Sequence, residues 1–461
     1  MIEDLPVLAA NVRTGQTTVA EVLKASLVAM ANEQPILNPW IRVYRDVAVT
    51  TARALDTART SGRTSGPLHG VPVALKDNLD EAGVPCTGGC AAYLDRVPAR
   101  DAPVVARLRA AGAVVVGRTN MHELAGGVTS ENPHFGPVRN PWDPTRIPGG
   151  SSGGSAVVVA TGSVAGALGT DTGGSIRIPA SLCGIVGLKP TRGLLPQSGV
   201  LPFSPSLDHV GPLARSVAGV RILLGVLAGR YVPATPQRLT GLRIGILEGF
   251  GREADPAVGA SFDAAITVLE GLGARLKSVH VPGFERGIRL LKAISEPEAA
   301  ALHGIRFQER PEGFGPEIRH LLDRGRAADP SLHPVALSER ASVEAGARDA
   351  FIDLDFMICP TTPFPARPFG SPDPHLLLTY TCPFNLTGQP AISVPMGLAN
   401  GLPVGLQIVA PHEADARLLD VAEAFEQASG GFRPPPFRPP VADPNAAPRG
   451  PALGRSQRSL P

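Results

Sequence analysis

The stretch DAPVVARLRAAGAVVV, residues Asp101–Val116, decides the architecture, because a helix pattern and a strand pattern abut within it. Asp101 offers a side-chain cap, and Val104, Val105 and Leu108 recur at helical spacing until Gly112 ends the helix. Ala113 to Val116 is a continuous apolar run, as expected of a buried strand. Strand directly after helix at this interval marks an α/β architecture. Upstream, Val71-Pro72-Val73-Ala74-Leu75 repeats the buried-strand pattern and delivers Lys76-Asp77-Asn78 at its C-terminal end. Thr18-x-x-Glu21 is a capping box ahead of a helix bearing Val22, Leu23, Leu27 and Met30. Downstream, Asn132 to Ser155 is loop-like, and Ala156 to Ala160 opens an apolar helix. Leu242 to Leu247 begins another βα unit, with Val258, Phe262, Ile266 and Leu269 on one helical face. Asp353 to Cys359 reads as a further strand.

The chain has 461 residues and a net charge of +2, without the basic surplus that nucleic-acid binders show. No apolar run reaches the roughly 18 residues of a membrane span, and Met1-Ile2-Glu3-Asp4 lacks the basic start of a signal peptide. A cytoplasmic location is expected, with neither nucleic acid nor membrane as partner. The five cysteines are an odd number, which argues against a disulfide framework. Cys86 and Cys90 lack the companions of a zinc site and read as packing residues, so no metal or cofactor is expected. After Phe432 the composition turns to Pro and Arg. The expected organisation is one domain over 1–433 and a tail over 434–461, disordered or loosely draped. Cations are overwhelmingly Arg, the only lysines being Lys24, Lys76, Lys189, Lys277 and Lys292. A lysine kept in an apolar context is therefore of interest, since Lys can lose its proton near neutrality and Arg cannot.

Two Gly/Ser segments carry the chemistry: Gly149-Gly150-Ser151-Ser152-Gly153-Gly154-Ser155 and Asp171-Thr172-Gly173-Gly174-Ser175-Ile176-Arg177. Successive N–H groups in such turns can cradle an anion. A phosphate loop would need Lys followed by Ser or Thr after its last glycine, and neither segment has one. The pattern G-x-S-x-G is matched on Ser151 and on Ser152, but a loop rather than a strand precedes it. Asp208-His209 could serve a Ser-His-Asp scheme as orienter and base. The other option is a lysine base, its pKa lowered by desolvation, which suits Lys76 at the end of its apolar strand; Lys189 competes.

These segments, with Val73-Ala74-Leu75-Lys76-Asp77-Asn78, Gly117-Arg118-Thr119-Asn120, Asn140-Pro141-Trp142-Asp143, Gly187-Leu188-Lys189-Pro190-Thr191, Pro360-Thr361-Thr362-Pro363, Gly388-Gln389-Pro390-Ala391 and Gly401–Gln407, resemble the amidase signature family in order and spacing over about residues 5 to 430. The resemblance implies a large mixed, mostly parallel β-sheet sandwiched between helices on both faces. It makes Ser175 the nucleophile, Ser151 the bridging serine after a cis peptide bond, and Lys76 the general base. Backbone N–H groups of Thr172, Gly173, Gly174 and Ser175 would form the oxyanion hole. Ser152 and Ser155 would hydrogen-bond the turn, and Asp171 with Arg177 would form a structural pair beneath it.

The expected activity is hydrolysis of a small-molecule amide. The family also holds the glutaminase component of tRNA-dependent amidotransferases, which works with partner subunits. His122, where that component usually has an acidic residue, and the short segment between about Pro282 and Asp353 favour a free-standing amidase. The identity of the amide and any homo-oligomeric state are left open.

Overall fold

A computed structural model describes residues 1–230, 232–235, 239–250 and 254–437. Its centre is one sheet of 11 strands: β1 (Trp40–Val43), β2 (Pro72–Lys76), β3 (Val114–Thr119), β4 (Gly166–Thr170), β5 (Val186–Lys189), β6 (Val210–Ala214), β7 (Arg243–Leu247), β8 (Arg275–Val279), β9 (Phe356–Pro360), β10 (Ala391–Ala399) and β11 (Leu402–Val409). Their spatial order is β1-β3-β2-β4-β6-β5-β10-β11-β9-β7-β8, and helices flank the sheet. No helix among the described residues is long and apolar enough to cross a membrane.

The sheet is mixed, as expected, but its parallel character is local. Parallel pairing is confined to the blocks β3-β2-β4 and β9-β7-β8, while six of the ten pairings are antiparallel. The physical reason is visible at β10–β11. Asn400 (φ 54°) and Gly401 (φ 78°) form a two-residue left-handed turn that can only join antiparallel neighbours.

The Asp101–Val116 stretch folds as expected, with one change at its cap. The helix runs Pro103–Ala110 with Ala102 at the N-cap position, and β3 follows with every residue buried. Asp101 does not cap the helix. It accepts the Ala82 N–H and pairs with Arg109 at 2.6 Å, because Pro103 already supplies a first-turn residue without an N–H to satisfy. The capping box of Thr18 and Glu21 is formed. In the tail, Pro435 is buried and Phe437 packs partly buried against the main core, so 434–437 do not hang free. The remainder of that expectation lies outside the described residues.

Two features of the sheet place the site. Strands β2 and β4 are parallel neighbours with Leu75 opposite Leu168, so the residues after both strands emerge side by side. Open parallel sheets bind ligands beyond such carboxyl ends. The helix Gly153–Ala160 packs on β4 with all eight residues buried. That closeness requires glycine at 154, where a Cβ would stand 2.3 Å from the Asn120 carbonyl oxygen.

Candidate active site

Lys76 ends β2 and is fully buried among apolar strands. Its Nζ lies 2.7 Å from Ser151 Oγ and 2.8 Å from Thr170 Oγ1, with the Thr170 carbonyl at 3.4 Å. Burial is the largest influence on this amine, opposed by the charges of Asp208 and Asp171, and it brings the pKa down to about 7. A substantial neutral fraction is thus present at neutral pH. Thr170 carries no signal in the sequence, and Asn78 enters there only as part of the lysine motif. Asn78 Nδ2 donates to the same Thr170 oxygen at 3.0 Å, which fixes the threonine against the lysine.

Ser151 follows a cis Gly150–Ser151 peptide bond, as the resemblance implies, and precedes the helix Gly153–Ala160. Ser130 clamps this turn: its hydroxyl donates to the Gly149 carbonyl at 2.9 Å and accepts the Gly153 N–H at 3.2 Å. Ser152 Oγ donates to the Thr170 carbonyl and Ser155 Oγ to that of Leu168, so both hold the loop to β4 rather than reach a cavity.

Ser175 lies in the turn after β4, just before the helix Arg177–Cys183. The structure ties it to the other segment through the backbone, the Ser152 N–H donating to the Ser175 carbonyl at 3.1 Å. A direct Ser151–Ser175 hydroxyl bond is not among the hydrogen bonds of the described residues. Ser175 lines a pocket of about 430 Å³ together with Thr172, Gly173, Phe203, Leu291 and Leu378. The N–H groups of Thr172, Gly173, Gly174 and Ser175 take no part in the backbone hydrogen bonds among described residues. Gly174 has φ +144°, and a Cβ there would meet Thr381 Oγ1 at 2.2 Å.

Beneath the turn, Arg177 and Asp171 form a fully buried ion pair at 2.9 Å, extended by Asn385 and Gln407. Burial alone would raise the Asp171 pKa, but the Arg177 charge and hydrogen bonds hold it below the usual carboxylate range. Asp171 also accepts the Ile176 N–H at 3.1 Å, which shapes the turn leading out of Ser175.

The competing residues sit elsewhere. Lys189 donates to the carbonyls of Pro190 and Gln389 and to no serine among the described residues, a structural role. His209 Nδ1 faces the Leu207 carbonyl at 2.7 Å, and its buried Nε2 has no partner among described residues. Asp208 does not orient that histidine; it accepts from Thr172 Oγ1 and from the N–H groups of Phe203 and Ser204. A Ser-His-Asp array is therefore not assembled.

Cys90 departs from the plain packing role. Cys90, Glu123 and His134 bring possible ligand atoms within 4.8 Å of one another. Those atoms are engaged in a hydrogen-bonded cluster, His134 Nε2 on Glu123 at 2.9 Å, the Gly315 N–H on both Glu123 oxygens, and Cys90 Sγ on the Gly313 carbonyl. Burial pushes the Cys90 thiol pKa far up, away from the thiolate a metal would need.

A family model described as Amidase matches residues 21–419, a span holding Lys76, Ser151 and Ser175. The chain is 38% identical to the A subunit of the glutamyl-tRNA(Gln) amidotransferase of Salinispora tropica, over 93% of this chain and 97% of that protein. A crystal structure of an amidase superposes with a TM-score of 0.89 at 36% identity, covering 93% of this chain and 100% of that one. The corresponding A subunit from Thermotoga maritima superposes at 0.79 with 31% identity, covering 92% and 98%.

Proposed function

This chain belongs to the Amidase family, whose members act on carbon–nitrogen bonds, and from that premise we propose that it hydrolyses a carboxylic amide through an acyl-enzyme on Ser175. The observation that carries the reading is the buried Lys76 amine, brought to a pKa of about 7 and set 2.7 Å from Ser151 Oγ. Neutral Lys76 takes the Ser151 proton as Ser151 takes that of Ser175, whose Oγ attacks the amide carbon. The tetrahedral oxyanion would be held by the free N–H groups of the 172–175 turn. Collapse breaks the C–N bond, and the proton held by Lys76 returns through Ser151 to the leaving amine. Water, deprotonated along the same route, then releases the acid. The Ser151–Ser175 contact is part of this proposal, since catalytic hydrogen bonds often tighten only when substrate is bound.

Two settings accommodate this chemistry. Curated relatives at 37–40% identity are amidotransferase A subunits, which favours an ammonia-releasing glutaminase component over the free-standing amidase. The second reading keeps a specific support, the TM-score of 0.89 to an amidase against 0.79 to an amidotransferase component. Ammonia release from glutamine and from simple aliphatic and aromatic amides, with and without partner subunits, separates them. Turnover of simple amides by the chain alone identifies an amidase; glutamine turnover only with partners identifies the amidotransferase component. Ser175→Ala is the control, and activity in it equal to the wild type would remove the nucleophile assignment.

A further inference from the structure

Asp208 is fully engaged although it lies outside the Lys–Ser–Ser set. One carboxylate oxygen accepts the Thr172 hydroxyl, at the first residue of the turn that lines the pocket with Gly173 and Ser175. The other accepts the N–H groups of Phe203 at 2.9 Å and Ser204 at 3.1 Å. Phe203 lines the same pocket, and Ser204 Oγ donates to Glu298 at 2.6 Å. Glu298 belongs to the helix Gly287–Glu309, which also supplies the pocket residues Leu291 and Ser295. One carboxylate thus joins the donor turn to the opposite wall.

We propose that Asp208 is a positioning residue for acyl transfer: through the Thr172 hydroxyl it holds the oxyanion turn against the pocket wall. The proposal rests on the Ser175 acyl-enzyme reading. Removing one direct oxyanion donor typically costs about 10²–10³ in rate, so loosening the turn is expected to cost about tenfold or more in kcat. Because the ground-state contacts are kept, KM stays within about threefold.

The test uses Thr172→Val, Thr172→Ser and Asp208→Asn in the full chain, or in the complex if partners are needed, on an amide that the wild type hydrolyses. Thr172→Val and Asp208→Asn should lower kcat while KM holds, and Thr172→Ser should recover most of the kcat lost by Thr172→Val. Wild-type kcat in Thr172→Val, or a Thr172→Ser that recovers none of the kcat lost by Thr172→Val, overturns the proposal. If Asp208→Asn fails to fold, the kcat and KM of the near-isosteric Thr172 pair decide it. A wild type that turns over no amide and forms no acyl-Ser175 would instead remove the functional reading, and the proposal with it.

Discussion

At the scale of single residues, Lys76 makes the sharpest claim. A lysine is useful as a base only when neutral, and burial brings this one to a pKa of about 7 from an ordinary value of 10.5. The sign follows directly: activity rises as pH increases through about 7, and falls below it as the amine is protonated. A kcat/KM profile whose acid limb vanishes in a residually active Lys76→Ala would bear this out. That variant should also lose about 10²–10⁴ in kcat/KM at neutral pH, the usual worth of a positioned base. Arg177 makes a different claim. Replacing it with Leu strands the buried Asp171 carboxylate, and breaking a buried pair from one side typically costs about 3–5 kcal/mol. Urea unfolding measures this, and a loss under about 1 kcal/mol would show that the site tolerates the stranded charge.

At the scale of elements, the decisive unit is strand β4 with the turn that leaves it. Its last residue, Thr170, touches Lys76, and the turn then presents donors and Ser175 within a few residues. Such a tight path needs a backbone that a side chain would obstruct. Gly174→Ala adds a Cβ 2.2 Å from Thr381 Oγ1 at φ +144°, while Thr381 itself holds the Gly173 carbonyl at 2.6 Å. We expect it to cost about 1–3 kcal/mol and to reduce kcat more than stability alone would explain. Thermal unfolding and initial rates on the same preparation test the pair of effects. Much of this element was legible in the sequence, because clustered glycines between apolar runs have few structural uses. Asp208 was legible only as a residue beside a histidine. Its partners on Thr172, Phe203 and Ser204 depend on how a loop folds back on the turn.

At the scale of the whole molecule, buried carboxyl groups join distant parts of the chain. Glu33, on the helix Val19–Leu37, accepts from Trp40 Nε1 at 2.7 Å and from the Thr161 hydroxyl. Burial raises its pKa from 4.5 to about 7. A carboxyl raised in the folded state contributes stability that is full below about pH 4.5 and is lost as pH rises through about 7. Lys76, Lys189, His209 and His303 shift downward and titrate in the opposite sense, so the wild-type curve alone does not isolate Glu33. The comparison with Glu33→Gln does. The urea midpoint of the variant relative to wild type should be more favourable at pH 8 than at pH 5.5, and an identical difference at both would contradict the assignment.

Local physics, read from the sequence alone, determined a good deal. Apolar runs too short for helices announced buried strands, glycine clusters announced turns with free donors, and a rare lysine at a strand end announced a candidate base. Each rests on residues adjacent in the chain, where propensity and pattern operate. Tertiary structure alone decided the rest: the antiparallel majority in the sheet, the failure of Asp208-His209 to form a base and its orienter, and the walls of the pocket. Those depend on contacts between segments up to some hundreds of residues apart, such as Leu291 and Leu378 over Gly173. No period or motif encodes such distances. They are set by which apolar faces bury one another and by where the buried charges find their partners.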